Sequence, residues 1–176
     1  MSSIAKILPH YTYEDWIHWE GQWELLEGHP IAMSPSPVPK HQRVGIEIAT
    51  DLNLAVRQSG CKHCRVYHDL DFKISEDTIL IPDLSIVCGE INAKILDFAP
   101  ALVVEILSPS TALRDRNTKY QLYEQQGVKY YLIVDVEKEI TEIYKLSVEG
   151  YQLIQDTNFE LEDGCTIQPN LSSIFL

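Results

Sequence analysis

The chain has 176 residues and a formal net charge of −12, from 26 acidic and 14 basic side chains. With 45% apolar and 23% charged residues it reads as a globular domain, which excludes collagen-like, coiled-coil and wholly disordered chains. This length favours one domain over 1–176.

Thr12, followed three residues later by Asp15, predicts a short capped helix through Trp16, Ile17 and Trp19. Trp23-Glu-Leu-Leu-Glu-Gly28 and Ile31-Ala-Met33 predict a hairpin turned at Gly28-His29-Pro30. The proline-rich run from Met33 to Pro39 reads as a rigid connection. Val44, Ile48, Leu52 and Val56 recur every four residues, which predicts a helix over about 39–58. Strand patterns follow over Cys64–Ile74 and Ile79–Val87, the second broken by Pro82. Ala101–Leu107 is almost continuously apolar, as in a strand buried on both faces. A helix over Arg114–Gln126 closes at Gly127. Tyr130–Val136 predicts another buried strand. Ile140–Leu146, Tyr151–Ile154 and Cys165–Ile167 predict alternating strands beyond it. The order implies an α/β (α+β) fold: a mixed sheet flanked by helices, with an N-terminal helix and hairpin and extra C-terminal antiparallel strands.

No apolar run approaches the ~18 residues of a membrane span, and the N-terminal apolar stretch is too short for a secretory signal. A cytoplasmic chain with no membrane partner is expected. Four scattered cysteines suit reduced thiols. Cys61-x-x-Cys64 lacks the second ligand pair of a structural zinc site, so a metal or redox function there ranks behind ordinary thiols. The acidic balance opposes non-specific nucleic-acid binding, although Lys40 to Lys73 and Arg114 to Lys129 are locally basic.

Two carboxylates stand out. Glu105 lies between Val104 and Ile106 in the most apolar strand, where an ionised group needs a partner. Asp83 follows Pro82 among apolar residues. If their strands are neighbours, the two converge on one divalent ion, with a backbone carbonyl completing the shell, and Mg²⁺ suits such oxygens. The competing reading is a pair of strand-end carboxylates held by arginines. Ser108-Pro-Ser-Thr111 leads into a helix on which Arg116, Lys119 and Tyr123 share a face. Such a lysine orients a water or stabilises phosphoryl charge.

These residues form an ordered set: Pro82-Asp83, Glu105-Ile-Leu-Ser-Pro-Ser-Thr111, Lys119-Tyr120, Tyr123 and Gly127 to Asp135. With Trp23 to Gly28 and His41-Gln42, the set resembles the Uma-type family of restriction endonucleases, in the PD-(D/E)xK superfamily, over about residues 12–146. The resemblance implies a restriction-endonuclease-like fold, often dimeric, that cuts DNA with Mg²⁺ or Mn²⁺. It makes Asp83 and Glu105 the metal-binding acids, with the Ile106 carbonyl beside them. The family lysine two residues after the glutamate is Leu107 here, and Lys119 is the candidate replacement. Glu24 matches an acidic position and is an auxiliary metal carboxylate or an exposed hairpin residue. Arg116, Tyr123 and His41 are candidate substrate contacts, His41 alternatively capping its helix. DNA and a second copy of the chain are the implied partners. The alternative function is an inactive nuclease fold kept as a DNA-binding or protein-interaction module.

Overall fold

A computed structural model describes residues 9–33 and 38–176, so most of the expected proline-rich connection lies outside the described residues. Helix α1 (Tyr13–Trp16) starts where the Asp15 carboxylate accepts the Thr12 N–H at 2.9 Å. Strands β1 (Trp23–Leu26) and β2 (His29–Ala32) form the expected hairpin. Its turn is Glu27-Gly28 rather than Gly28-His29-Pro30. Both turn residues have positive φ, 47° and 77°, which matches the strand twist across a two-residue loop. Pro30 is accommodated within β2 because that strand lies at a sheet edge.

Helix α2 (Pro39–Ser59) begins on a proline, which needs no N–H partner in the first turn, and ends at Gly60 with φ 76°. Its buried stripe, Val44, Ile48, Leu52 and Val56, is the predicted one. The run expected as one strand over 64–74 is two, β3 (Cys64–His68) and β4 (Phe72–Ser75), parted near Asp69 at φ 49°. Pro82-Asp83 likewise separates β5 (Thr78–Leu80) from β6 (Leu84–Cys88). After these come β7 (Leu102–Ile106), a helical segment α3 over 112–125, and β8 (Tyr130–Asp135). The chain continues through β9 (Ile140–Ser147), β10 (Gly150–Ile154), β11 (Phe159–Glu160) and β12 (Thr166–Ile167).

Two main sheets result. Four strands run in the order β2-β1-β5-β4 and six in the order β10-β9-β8-β7-β6-β3. In the larger sheet only β7 and β8 are parallel, joined through α3. Every residue of β6, β7 and β8 is buried, as their continuous apolarity predicts. One face of β7 (Leu102, Val104, Ile106) packs with the α2 stripe and the C-terminal segment around Phe159 and Ile174. The other face presents Val103 and Leu107 to Tyr123, Tyr131 and Ile133. Glu105 lies between Val103 and Leu107 on that second face.

The expectation of separate thiols is corrected: Cys61 is bonded to Cys165 and Cys64 to Cys88. The partners are 104 and 24 residues apart, and they meet because β12 packs against α2 and β3 pairs with β6. No helix among the described residues is long and apolar enough to cross a membrane.

Candidate active site

Strands β6 and β7 are antiparallel neighbours with Leu84 opposite Val104. One step beyond that ladder, Asp83 stands opposite Glu105. The Ile106 N–H donates to Asp83 Oδ2 at 2.6 Å, so the carboxylate replaces a ladder partner where Pro82 and the strand start interrupt pairing. From α2, His41 Nε2 donates to the Ile106 carbonyl at 2.9 Å and lies 3.7 Å from Asp83 Oδ2. His41 is thus an inward-facing member of the site and not a helix cap.

Lys119 is 1% exposed. Its Nζ donates to Glu105 Oε1 at 2.8 Å, lies 2.6 Å from Glu24 Oε1 and is 3.8 Å from Asp115 Oδ1. The Tyr123 hydroxyl donates to the same Glu105 oxygen at 2.7 Å. Glu24, far from being an exposed hairpin residue, is 0% exposed. It accepts the Ile81 N–H at 3.0 Å, and its Oε2 faces Arg114 at 3.2 Å. Leu107, at the position where the family pattern has lysine, belongs to the apolar core. The ammonium arrives instead from α3, twelve residues further along the chain.

Within α3 the backbone widens into a π-helical turn over Asp115–Lys119, a feature often found at functional sites. The widening changes which side chains share a face. Asp115, Lys119 and Tyr123 point into the cluster, and the Tyr131 hydroxyl secures the turn by donating to the Asp115 carbonyl at 2.8 Å. Arg116 does not join Lys119 and Tyr123, as regular helical spacing had predicted. It forms a bidentate pair with Glu142 of β9 at 2.8 and 2.7 Å. Tyr123 is fully buried and holds Glu105 instead of facing solvent. Arg114 and Asp115 are members that the sequence reading passed over. Asp115 lies four residues before Lys119, and that spacing was the available signal.

Burial raises the pKa of Glu105 well above the carboxylate range; Lys119 opposes this, while Asp115 and Asp83 reinforce it. Desolvation also raises Asp83, although the Ile106 N–H and His41 work against it, and raises Asp115 against the pull of Lys119. Burial penalises the Lys119 ammonium, but Glu105, Glu24 and Asp115 outweigh that penalty and its pKa is raised. Lys119 is therefore a fixed cation at neutral pH and cannot serve as a general base. Four carboxylates (Glu24, Asp83, Glu105, Asp115) meet two permanent cations (Arg114, Lys119). This surplus of carboxyl groups over cations, presented as oxygen donors, fits a hard divalent cation, whose binding would favour their ionised forms.

Two clefts of about 410 and 420 Å³ share His41, Asp83 and Ile106. The second is also lined by Ser108, Thr111 and Arg114. Asp83 is therefore reachable from outside, while Glu105, Glu24 and Lys119 stand behind it.

This is a mixed-sheet α+β fold with a buried acid–lysine cluster behind an open cleft. Residues 11–173 match the model of the Uma2 family, described as "Putative restriction endonuclease". The chain belongs to that family. It is 27% identical over 175 residues to the uncharacterized protein slr1290 of Synechocystis sp., covering 92% of this chain and 86% of that one. A crystal structure titled as a "putative nuclease belonging to DUF820" from Anabaena variabilis shares the fold. It superposes with a TM-score of 0.72 at 20% identity, covering 93% of this chain and 97% of that one.

Proposed function

We propose that the protein is a metal-dependent endonuclease that hydrolyses DNA phosphodiesters in the cleft at Asp83. The observation that carries this reading is the position of Lys119. Its ammonium, supplied by α3, is 2.8 Å from Glu105, and Glu105 stands opposite the cleft-lining Asp83. This supports Lys119 as the counterpart of the lysine absent at position 107.

Asp83, the Glu105 oxygen not engaged by Lys119 and Tyr123, and the remaining lone pair of the Ile106 carbonyl would hold Mg²⁺ or Mn²⁺. When bound, such an ion polarises a phosphoryl oxygen and lowers the pKa of a coordinated water. The chain's own residues prepare the site. Lys119 and Tyr123 fix Glu105 by two charge-assisted hydrogen bonds to one oxygen. Lys119 and the Ile81 N–H fix Glu24, which serves as a supporting carboxylate and not as a ligand. His41 orients the Ile106 carbonyl. Arg114, 17% exposed at the cleft wall, offsets phosphate charge that a protein of net charge −12 otherwise repels. Arg116 and Tyr123, occupied by Glu142 and Glu105, act on substrate only through the framework they stabilise.

The test is cleavage of supercoiled plasmid and of linear duplex DNA with Mg²⁺ or Mn²⁺, by wild type, Asp83→Ala, Glu105→Ala and Lys119→Met. All three variants should lose at least ~10²-fold in rate, the scale of removing a preorganised electrostatic group. Cleavage that persists in Glu105→Ala refutes the assignment. A second copy of the chain, so that each protomer cuts one strand, accompanies this reading; the unpaired edge of β10 is the strand available for such a contact.

A further inference from the structure

The carboxylate cleft does not use the cysteines, and they collect elsewhere on the larger sheet. Cys88 ends β6 five residues past Asp83, about 17 Å along the strand. Cys64 opens β3 and faces Cys88 in register, with Cα atoms 4.0 Å apart. His63 immediately precedes Cys64, and its carbonyl accepts the N–H of Gly89, the residue after Cys88, at 3.0 Å. The sulfurs of Cys64 and Cys88 and a ring nitrogen of His63 lie within 4.8 Å of one another. Among the described residues this is the one set of three His, Cys, Asp or Glu donors so placed. Both sulfur-bearing residues are buried, at 0% and 4% exposure. His63 Nε2 lies 3.5 Å from Asp163 Oδ2.

We propose that, once the Cys64–Cys88 bond is reduced, His63, Cys64 and Cys88 form a binding site for a borderline-soft divalent cation of the Zn²⁺ class. Two thiolates and an imidazole select such an ion over Mg²⁺, and three protein ligands leave one tetrahedral position for water. Asp163, whose Oδ2 is 3.5 Å from His63 Nε2, is placed to orient the imidazole as a carboxylate does beside a ligating histidine. Cys61, the neighbour that a C-x-x-C reading pairs with Cys64, lies outside this donor set and faces Cys165; the phosphine frees both of those thiols too, so the Cys61→Ser variant tests whether they stay out of the site. Reduction by a phosphine breaks the S–S bond with water as co-reactant, giving two thiols and the phosphine oxide. Metal binding then releases both thiol protons. The disulfide and the metal site therefore exclude one another.

The full chain, reduced with a phosphine and stripped of metal, is titrated with Co²⁺ in the absence of oxygen. Thiolate-to-cobalt charge-transfer absorption should rise to one equivalent per chain and disappear when Zn²⁺ is added. Carboxylates give no such band, so Asp83→Ala should leave it unchanged, and the outcome is independent of the nuclease reading. Cys88→Ser and His63→Gln should each weaken binding by at least ~10-fold, and Asp163→Asn by about 10-fold. Cys61→Ser should bind as the wild type does. If Cys88→Ser fails to fold, His63→Gln still carries the test, because His63 is a partly exposed loop residue. No charge-transfer band in the reduced wild type overturns the proposal. So does a band unaffected by His63→Gln, or one lost in Cys61→Ser.

Discussion

Lys119 holds the buried cluster together because it is the ammonium shared by Glu105, Glu24 and Asp115. Removing it strands three carboxylates in a place that water does not reach. Lys119→Met should therefore cost about 3–5 kcal/mol at neutral pH, read as a fall in melting temperature. The loss should shrink on acidification, because the stranded carboxylates then take up protons. The wild-type cluster carries its own pH signature. Glu105, Asp83 and Asp115 have folded-state pKa values raised by burial, so each binds its proton more tightly folded than unfolded. Their contribution to stability falls as pH rises above the ordinary carboxylate range. The divalent cation proposed at Asp83 and Glu105 would relieve this penalty. Mn²⁺ should accordingly raise the melting temperature more at pH 7 than at pH 4.5, and thermal melts at the two pH values check it. Glu105→Gln should abolish that difference without a large loss of stability, since the buried charge it removes is the one most penalised.

At the level of elements, the π-helical turn of Asp115–Lys119 decides which side chains of α3 meet β7. Before it, Arg114 reaches Glu24; after it, Tyr123 reaches Glu105. Deleting Thr118, an exposed residue within the turn, would restore ordinary helical spacing. The two halves of α3 would then be rotated relative to each other by about 100°. Either Arg114 with Asp115 or Lys119 with Tyr123 must leave the cluster. Loss of nuclease activity together with a destabilisation of about 3 kcal/mol or more is expected, measured by plasmid cleavage and denaturant unfolding. Pro82-Asp83 has a comparable role between β5 and β6. The chain leaves one sheet and enters the other there, and Asp83 is free to pair with Ile106 because the ladder has not yet begun.

Across the whole molecule, Cys61–Cys165 joins the end of α2 to the C-terminal segment over a separation of 104 residues. Closing so long a loop restricts the unfolded chain by about 4–5 kcal/mol in the entropic account. Cys165→Ser should lower the melting temperature by about 10 °C under non-reducing conditions. A change of under a degree would show that the bond does not contribute to stability in solution. The two clefts at Asp83 also depend on the whole assembly. The hairpin that carries Glu24, the helix that carries His41, the link between β5 and β6 that carries Asp83 and the strand that carries Glu105 belong to four separate stretches of chain.

The sequence by itself determined the element order, the α2 stripe, the buried β7 and β8 and the two carboxylates that no apolar strand would carry without a purpose. These are local properties: periodicity, proline and glycine punctuation, and the cost of a lone charge in an apolar run. It also pointed to Lys119, through the absence of lysine at position 107 and the family pattern around it. Only the tertiary structure decided the rest. Hydrophobic alternation does not record where a strand changes sheet, so 64–74 and 79–87 read as two strands and fold as four. Regular helical spacing placed Arg116 beside Lys119, whereas the π-helical turn sent it to Glu142. Glu24 could be buried or exposed on its own hairpin, and the arrival of Lys119 and Arg114 settled it, because a carboxylate is buried only where cations meet it. The cysteine pairs span 24 and 104 residues, and nothing local in the chain marks contacts at that range.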